Sequence, residues 1–172
     1  MKKVLLFVMV CATALSVASC NKNAPPARCI DILSAICDEV DLPDGRVYSV
    51  GNPSPDGRLT EQLMSSLFTE SVLGYFHIRE DGSSAVDDCA VFIPTSGSAV
   101  EFAVFRCTKT TVCTSVARIC LSRLDVLRRS KNAEENKAHL DSGNVYILDN
   151  YVILAVSSEA ASAIKAAKLK VK

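Results

Sequence analysis

With 172 residues, 19 basic against 19 acidic side chains and a formal net charge of +0, the chain lacks the basic stripe that a phosphate backbone demands, so nucleic acid is excluded as a partner on electrostatic grounds. Tryptophan is absent and aromatic residues make up 6% of the chain, which argues against a sugar-stacking cleft. The length suits one domain with a proper core.

The chain opens with Lys2 and Lys3, then an almost wholly apolar run from Val4 to Ser19. A transmembrane helix needs about 20 apolar residues to cross ~30 Å of hydrocarbon, and this run falls short. A basic start, a short apolar stretch and small residues at its end form the pattern of a secretory signal peptide. The closing Val17-Ala18-Ser19-Cys20 resembles the lipobox of bacterial lipoproteins. That resemblance implies cleavage before Cys20, lipidation of the Cys20 thiol and attachment to the extracytoplasmic face of the cell membrane. Two acyl chains at roughly 0.8 kcal/mol per buried methylene hold a protein where one would not.

The expected organisation is a signal peptide over 1–19, the lipidated cysteine with a short polar tether over 20–26, and a single domain over 27–172. Removing residues 1–19, which hold two lysines and no acid, leaves 17 basic against 19 acidic side chains, a net charge of −2. The tether Asn21-Lys22-Asn23-Ala24-Pro25-Pro26 is too short for a stalk and keeps the domain near the bilayer.

A first helix is expected from about Ala27 to Val40, with Cys29, Leu33, Ile36, Cys37 and Val40 on one stripe. Residues 41–60 are rich in turn formers, and Pro-Asp-Gly-Arg occurs twice, beginning at Pro43 and Pro55. Two turns are the economical explanation, because proline presets φ and glycine accepts positive φ. A second helix follows Thr60 as its cap, carrying Leu63, Met64 and Leu67. After the polar loop Glu80–Ser84, the run from Cys89 to Ile93 reads as a strand ending at Pro94. Val100 to Phe105 then returns antiparallel to it.

A long helix spans about Thr110 to Arg129, and a polar connection runs from Asn132 to His139. Strands from Asn144 to Leu148 and from Tyr151 to Val156 flank a tight Asp149-Asn150 turn. A last helix, capped by Ser157 or Ser158, closes the chain. The fold class is therefore α+β: a mainly antiparallel four-stranded sheet of two hairpins (ββα-ββα), helices on one face, preceded by N-terminal helices.

Besides the anchor, the expected domain holds six cysteines: Cys29, Cys37, Cys89, Cys107, Cys113 and Cys120. The pairs that share a helix lie roughly 10–12 Å apart, too far to bridge. Buried thiols acting as small hydrophobes are the simpler reading, and bridges between elements, such as Cys89 to Cys107, stay open. No C-x-x-C pair occurs, so zinc-ligand spacing is lacking.

The stretch from Ala99 to Ala163 resembles domain-of-unknown-function family 4358, found in lipoproteins of anaerobic Firmicutes. It does so through Glu101-Phe102-Ala103-Val104-Phe105, the Arg123-containing helix, and Asn150-Tyr151-Val152-Ile153-Leu154 before a serine-capped helix. Where that family carries a tyrosine-proline pair after the long helix and often a glycine in the last hairpin turn, this chain has Asn132-Ala133-Glu134-Glu135 and Asp149-Asn150. The resemblance implies a fold and a cell address; the family brings no activity.

Candidate chemistry is sparse. Ser162-Ala163-Ile164-Lys165 satisfies S-x-x-K, and Ser142-Gly143-Asn144 matches part of a second penicillin-binding motif. The order is wrong, however, and no Lys-Thr-Gly follows. Glu80, Asp81, Asp87 and Asp88 lack calcium-loop spacing. His77 and His139 stand alone in sequence, and Arg123 is a partner for Glu101 between helix and sheet. These observations name no catalytic residue, cofactor or metal ligand. The expected function is a lipid-anchored envelope domain that binds a protein, peptide or small ligand without catalysis. An envelope hydrolase, its site gathered from distant residues such as His77 or His139 with carboxylates or a thiol, is the alternative. A thiol-active redox protein would need an exposed cysteine of lowered pKa.

Overall fold

The computed structural model describes residues 25–68 and 84–171. The signal segment, Cys20, His77, Glu80 and Asp81 lie outside the described residues. The described elements are helix α1 (Cys29–Cys37), strand β1 (Gly45–Ser49), a 3-10 turn (Pro55–Gly57), α2 (Glu61–Phe68), β2 (Val86–Pro94), β3 (Glu101–Cys107), α3 (Thr110–Arg128), α4 (Lys137–Ser142), β4 (Asn144–Leu148), β5 (Tyr151–Val156) and α5 (Ala160–Lys170).

One sheet holds all five strands in the order β1-β2-β3-β5-β4, every pair antiparallel. Both expected hairpins form. Leu148 pairs with Tyr151 across the Asp149-Asn150 turn, and Asp149 takes φ 52°. Thr60 caps α2 as expected, its Oγ1 accepting the Leu63 N–H at 3.2 Å. The Ser157 hydroxyl accepts the Glu159 N–H at 3.1 Å, ahead of a helix that starts at Ala160. The first helix is shorter than the apolar stripe suggests, and the polar connection after Asn132 contains α4.

Two expectations about the sheet need correction. The fifth strand, β1, lies in the stretch read as turns. Its Gly45 serves close packing: a Cβ there would meet the Phe92 ring at 2.4 Å and the Ile93 carbonyl at 2.8 Å. Only the second Pro-Asp-Gly forms a turn. The pairing of Gly45 with Pro94 through Ser49 with Ala90 supplies the strand, and no local propensity announces it.

The helices also cover both faces of the sheet rather than one. Residues of α2, α3 and α4 pack with Cys89, Val91, Ala103, Phe105, Val152 and Leu154, and Phe68 meets Phe105 edge-on at 5.2 Å. Residues of α1 and α5 pack with Ala90, Phe92, Phe102, Val104, Ile153 and Ala155. The physical reason lies in β3 and β5. Six of the seven β3 residues and all six of β5 are buried, and strands buried on both sides read as continuous apolar runs rather than alternations.

Candidate functional site

The two ends of the sheet carry different polar constructions. At one end the chain enters the domain. The Ala27 carbonyl accepts the Tyr151 hydroxyl at 2.7 Å and Arg106 Nη1 at 3.5 Å. The first N–H of α1, from Cys29, donates to the Asp88 carboxylate at 2.7 Å, so a strand residue supplies the cap that Arg28 cannot. A bulge between Val86 and Asp88 lets the neighbouring Asp87 pair with Arg106 at 2.7 Å, since a bulge re-aims side chains. Asp87 and Asp88 are thus structural ligands of this entry point.

At the opposite end, an open cleft of about 350 Å³ is lined by Asp41, Leu42, Pro43, Ser98, Val100, His139, Ser158 and Glu159. Four segments build it. Asn136, only 7% exposed, precedes α4 and ties it to the β2–β3 connection. Its Oδ1 accepts the Ala99 N–H at 2.7 Å, and its Nδ2 donates to the Gly97 carbonyl at 3.1 Å and the Asn132 carbonyl at 2.9 Å. Arg128 Nη2 donates to the last carbonyls of this region, Leu140 and Gly143, each at 3.3 Å. The Glu159 carboxylate accepts the Asp41 N–H at 2.9 Å, joining the entry of α5 to the segment after α1.

His139 projects from α4 into this frame. Its Nδ1 accepts the Ser158 N–H at 3.0 Å. An imidazole nitrogen that accepts carries no proton, so in the neutral ring the proton sits on Nε2. A general base of the triad type needs the reverse: Nδ1–H donated to an orienting carboxylate and a bare Nε2 toward a nucleophile. Among the described residues no serine or cysteine side chain bonds to this ring. The cleft therefore offers acceptors from Asp41 and Glu159, the imidazole N–H as donor, and an apolar floor.

The six described cysteines are free thiols; Cys37 is half-buried and the other five are buried. Burial pushes the Cys37 thiol up to about 11 and, with the hydrogen bond that the Cys107 S–H donates to Cys113 adding to it, Cys107 up to about 12. Burial likewise raises Cys29, Cys89 and Cys120. None of these five has the lowered pKa that thiol chemistry requires. The Cys89–Cys107 bridge left open by the sequence is not formed.

Ser162 and Lys165 lie on α5 in a shallow groove with Glu39, Ala166 and Leu169, while Gly143 packs under Leu124. The S-x-x-K match therefore marks a helix surface. Arg123 and Glu101 do form the anticipated pair, described below. Among the described residues no group of three His, Cys, Asp or Glu side chains is placed to hold a metal ion, and no helix is long and apolar enough to cross a membrane.

The sequence pointed to His139 as a candidate site residue and to Ser158 only as a helix cap; Asp41, Ser98 and Glu159 carried no signal, and the segments that supply them share no motif. No family model matches the chain, and no curated protein or solved structure matches it either.

Proposed function

We propose that this chain is a membrane-anchored bacterial lipoprotein, cut before Cys20 and lipidated there, whose domain binds an envelope protein, peptide or small ligand without catalysing a reaction. The observation that carries the anchoring is the join between the lipobox-like Val17-Ala18-Ser19-Cys20 and a domain that begins at once. Ala27, seven residues after Cys20, is already hydrogen-bonded to the sheet. A leader retained for any other purpose has no such reason to end so close to folded structure.

Binding rather than catalysis is favoured by the His139 ring, whose Nδ1 is occupied by a backbone N–H. It is also favoured by the raised pKa of the buried thiols. The cleft at Asp41, His139 and Glu159 lies at the end of the sheet away from Ala27, and it is the surface we assign to the ligand.

Intact mass of protein purified from its native membrane tests the anchoring. A chain beginning at Cys20 with an added diacylglycerol group is the expected result. Residues 1–19 still attached, or an unmodified Cys20, would overturn it.

A further inference from the structure

The end of the domain that receives the tether also carries the C-terminal turn of α5. Lys170 lies close enough to Asp31, in the first turn of α1, to lower its pKa, although the Arg28 hydrogen bond is the larger cause. Lys168 and Val171 share an open hollow of about 360 Å³ with Ile147, Leu148 and Asp149, and Leu148 pairs with the same Tyr151 that holds Ala27. Tether entry, the β4–β5 turn and the end of α5 therefore form one pole.

The composition of this helix end is unusual for the molecule. Residues 160–172 contain four lysines, Lys165, Lys168, Lys170 and Lys172, and no acid. Leu169 is 64% exposed, the most exposed of the large apolar side chains among the described residues, and Ile147 is 48% exposed. Most of the acids at this pole are engaged elsewhere: Asp31 with Arg28, Asp87 with Arg106, and Asp88 with the Cys29 N–H. Asp149 remains, lining the hollow beside Lys168, and Glu39 lines the groove that Leu169 shares with Lys165.

We propose that this pole rests on the bilayer, with Leu169 entering the interface and Lys168 and Lys170 meeting anionic headgroups. The proposal rests on the anchoring at Cys20. Seven residues at 3.3–3.6 Å each let Ala27 stray no more than about 25 Å from the lipidated cysteine, which favours the pole where Ala27 enters as the one nearer the membrane. An exposed leucine between lysines suits that boundary, where the apolar side chain leaves water and the ammonium groups stay in the headgroup layer. Each lysine near an anionic surface contributes about 1 kcal/mol, or roughly fivefold in occupancy of the docked orientation. The cleft at His139 then points away from the bilayer, toward partners in the envelope.

The absence of tryptophan makes the test direct. Leu169→Trp places a single reporter at the pole, and Glu135→Trp places one near the opposite end, beside Asn136. Each full-length, lipidated variant is reconstituted into vesicles of anionic or zwitterionic phospholipid, with and without brominated acyl chains, and its mass and co-flotation are checked. The expected result is a blue-shifted emission at position 169, quenched about twofold by brominated anionic lipid, with position 135 unquenched. Adding Lys168→Gln and Lys170→Gln should weaken the quenching at 169. Lipidated, floating protein with both reporters unquenched, or both quenched alike in either lipid, overturns the orientation and leaves the anchoring intact. Absence of the diacylglycerol mass together with loss of flotation overturns the anchoring, and the orientation falls with it.

Discussion

Arg123 on α3 grips Glu101 on β3 with three contacts: Nε to the two carboxylate oxygens at 3.0 and 3.2 Å, and Nη2 to Oε2 at 2.7 Å. The two side chains are 15% and 3% exposed, so the carboxylate is the more deeply desolvated partner. Arg123→Met removes the cation and leaves a buried carboxylate without its counter-charge, a loss of about 3–5 kcal/mol. Glu101→Gln leaves a guanidinium that still reaches water, so a smaller loss of about 1.5–3 kcal/mol is expected. The double replacement Glu101→Leu with Arg123→Met removes both charges and should recover most of the stability, because an apolar pair of similar volume costs little in this setting. Equilibrium unfolding in urea measures all three, and the double-mutant cycle isolates the coupling. A loss below about 1 kcal/mol for Arg123→Met would refute the reasoning, since it would mean that water reaches Glu101 in the folded state.

Three further outcomes follow from the packing. Asn136→Ala strips three hydrogen bonds from a site only 7% exposed; a loss of about 2–3 kcal/mol in urea unfolding is expected, with faster amide exchange at Ala99. Gly45→Ala drives a methyl group into the Phe92 ring and the Ile93 carbonyl, and thermal unfolding should register about 1–3 kcal/mol. Cys37, raised by burial to about 11, is the described thiol that iodoacetamide should reach first in the folded protein. Because only its thiolate reacts, its rate should climb about tenfold per pH unit up to pH 10, whereas the five buried thiols should react only on unfolding. Rapid alkylation of more than one of these six at neutral pH would show that the core is open.

Elements specified by neighbours in sequence were legible. Thr60 three residues before Leu63, Asp149-Asn150 between two apolar strands, and the 19-residue α3 are all set by hydrogen bonds or periodicity within one segment. The Glu101–Arg123 pair was also legible, because an acid at the start of an apolar strand needs a cation from whatever covers it. What escaped was non-local. Strand β1 exists because β2 offers it an edge, and its Gly45 reads as a turn glycine until the Phe92 ring lies across it. The second layer of helices was signalled by Phe102-Ala103-Val104-Phe105, which lacks the alternation a one-faced sheet requires. The cleft was the least legible feature, since Asp41, Ser98, His139 and Glu159 converge only after three connections close.

The polar construction at the chain entry bears on how an anchor could orient the domain at all. A lipid on a free-swinging tether fixes distance but not direction, because each flexible residue randomises the path. Here, on the proposed anchoring, the tether would end against structure. Tyr151 and Arg106 take the Ala27 carbonyl, and Asp88 takes the Cys29 N–H, so the last residues before α1 have one path onto the sheet. Tyr151 belongs to β5 and Arg106 to β3, the strands most deeply buried, so strain on the tether passes into the stiffest part of the core. On the proposed anchoring, Pro25 and Pro26 restrict the chain further just ahead of the fold. With the entry so fixed, modest attraction of Lys168, Leu169 and Lys170 to the surface would be enough to select the proposed orientation, and the His139 cleft at the far end would then be held outward.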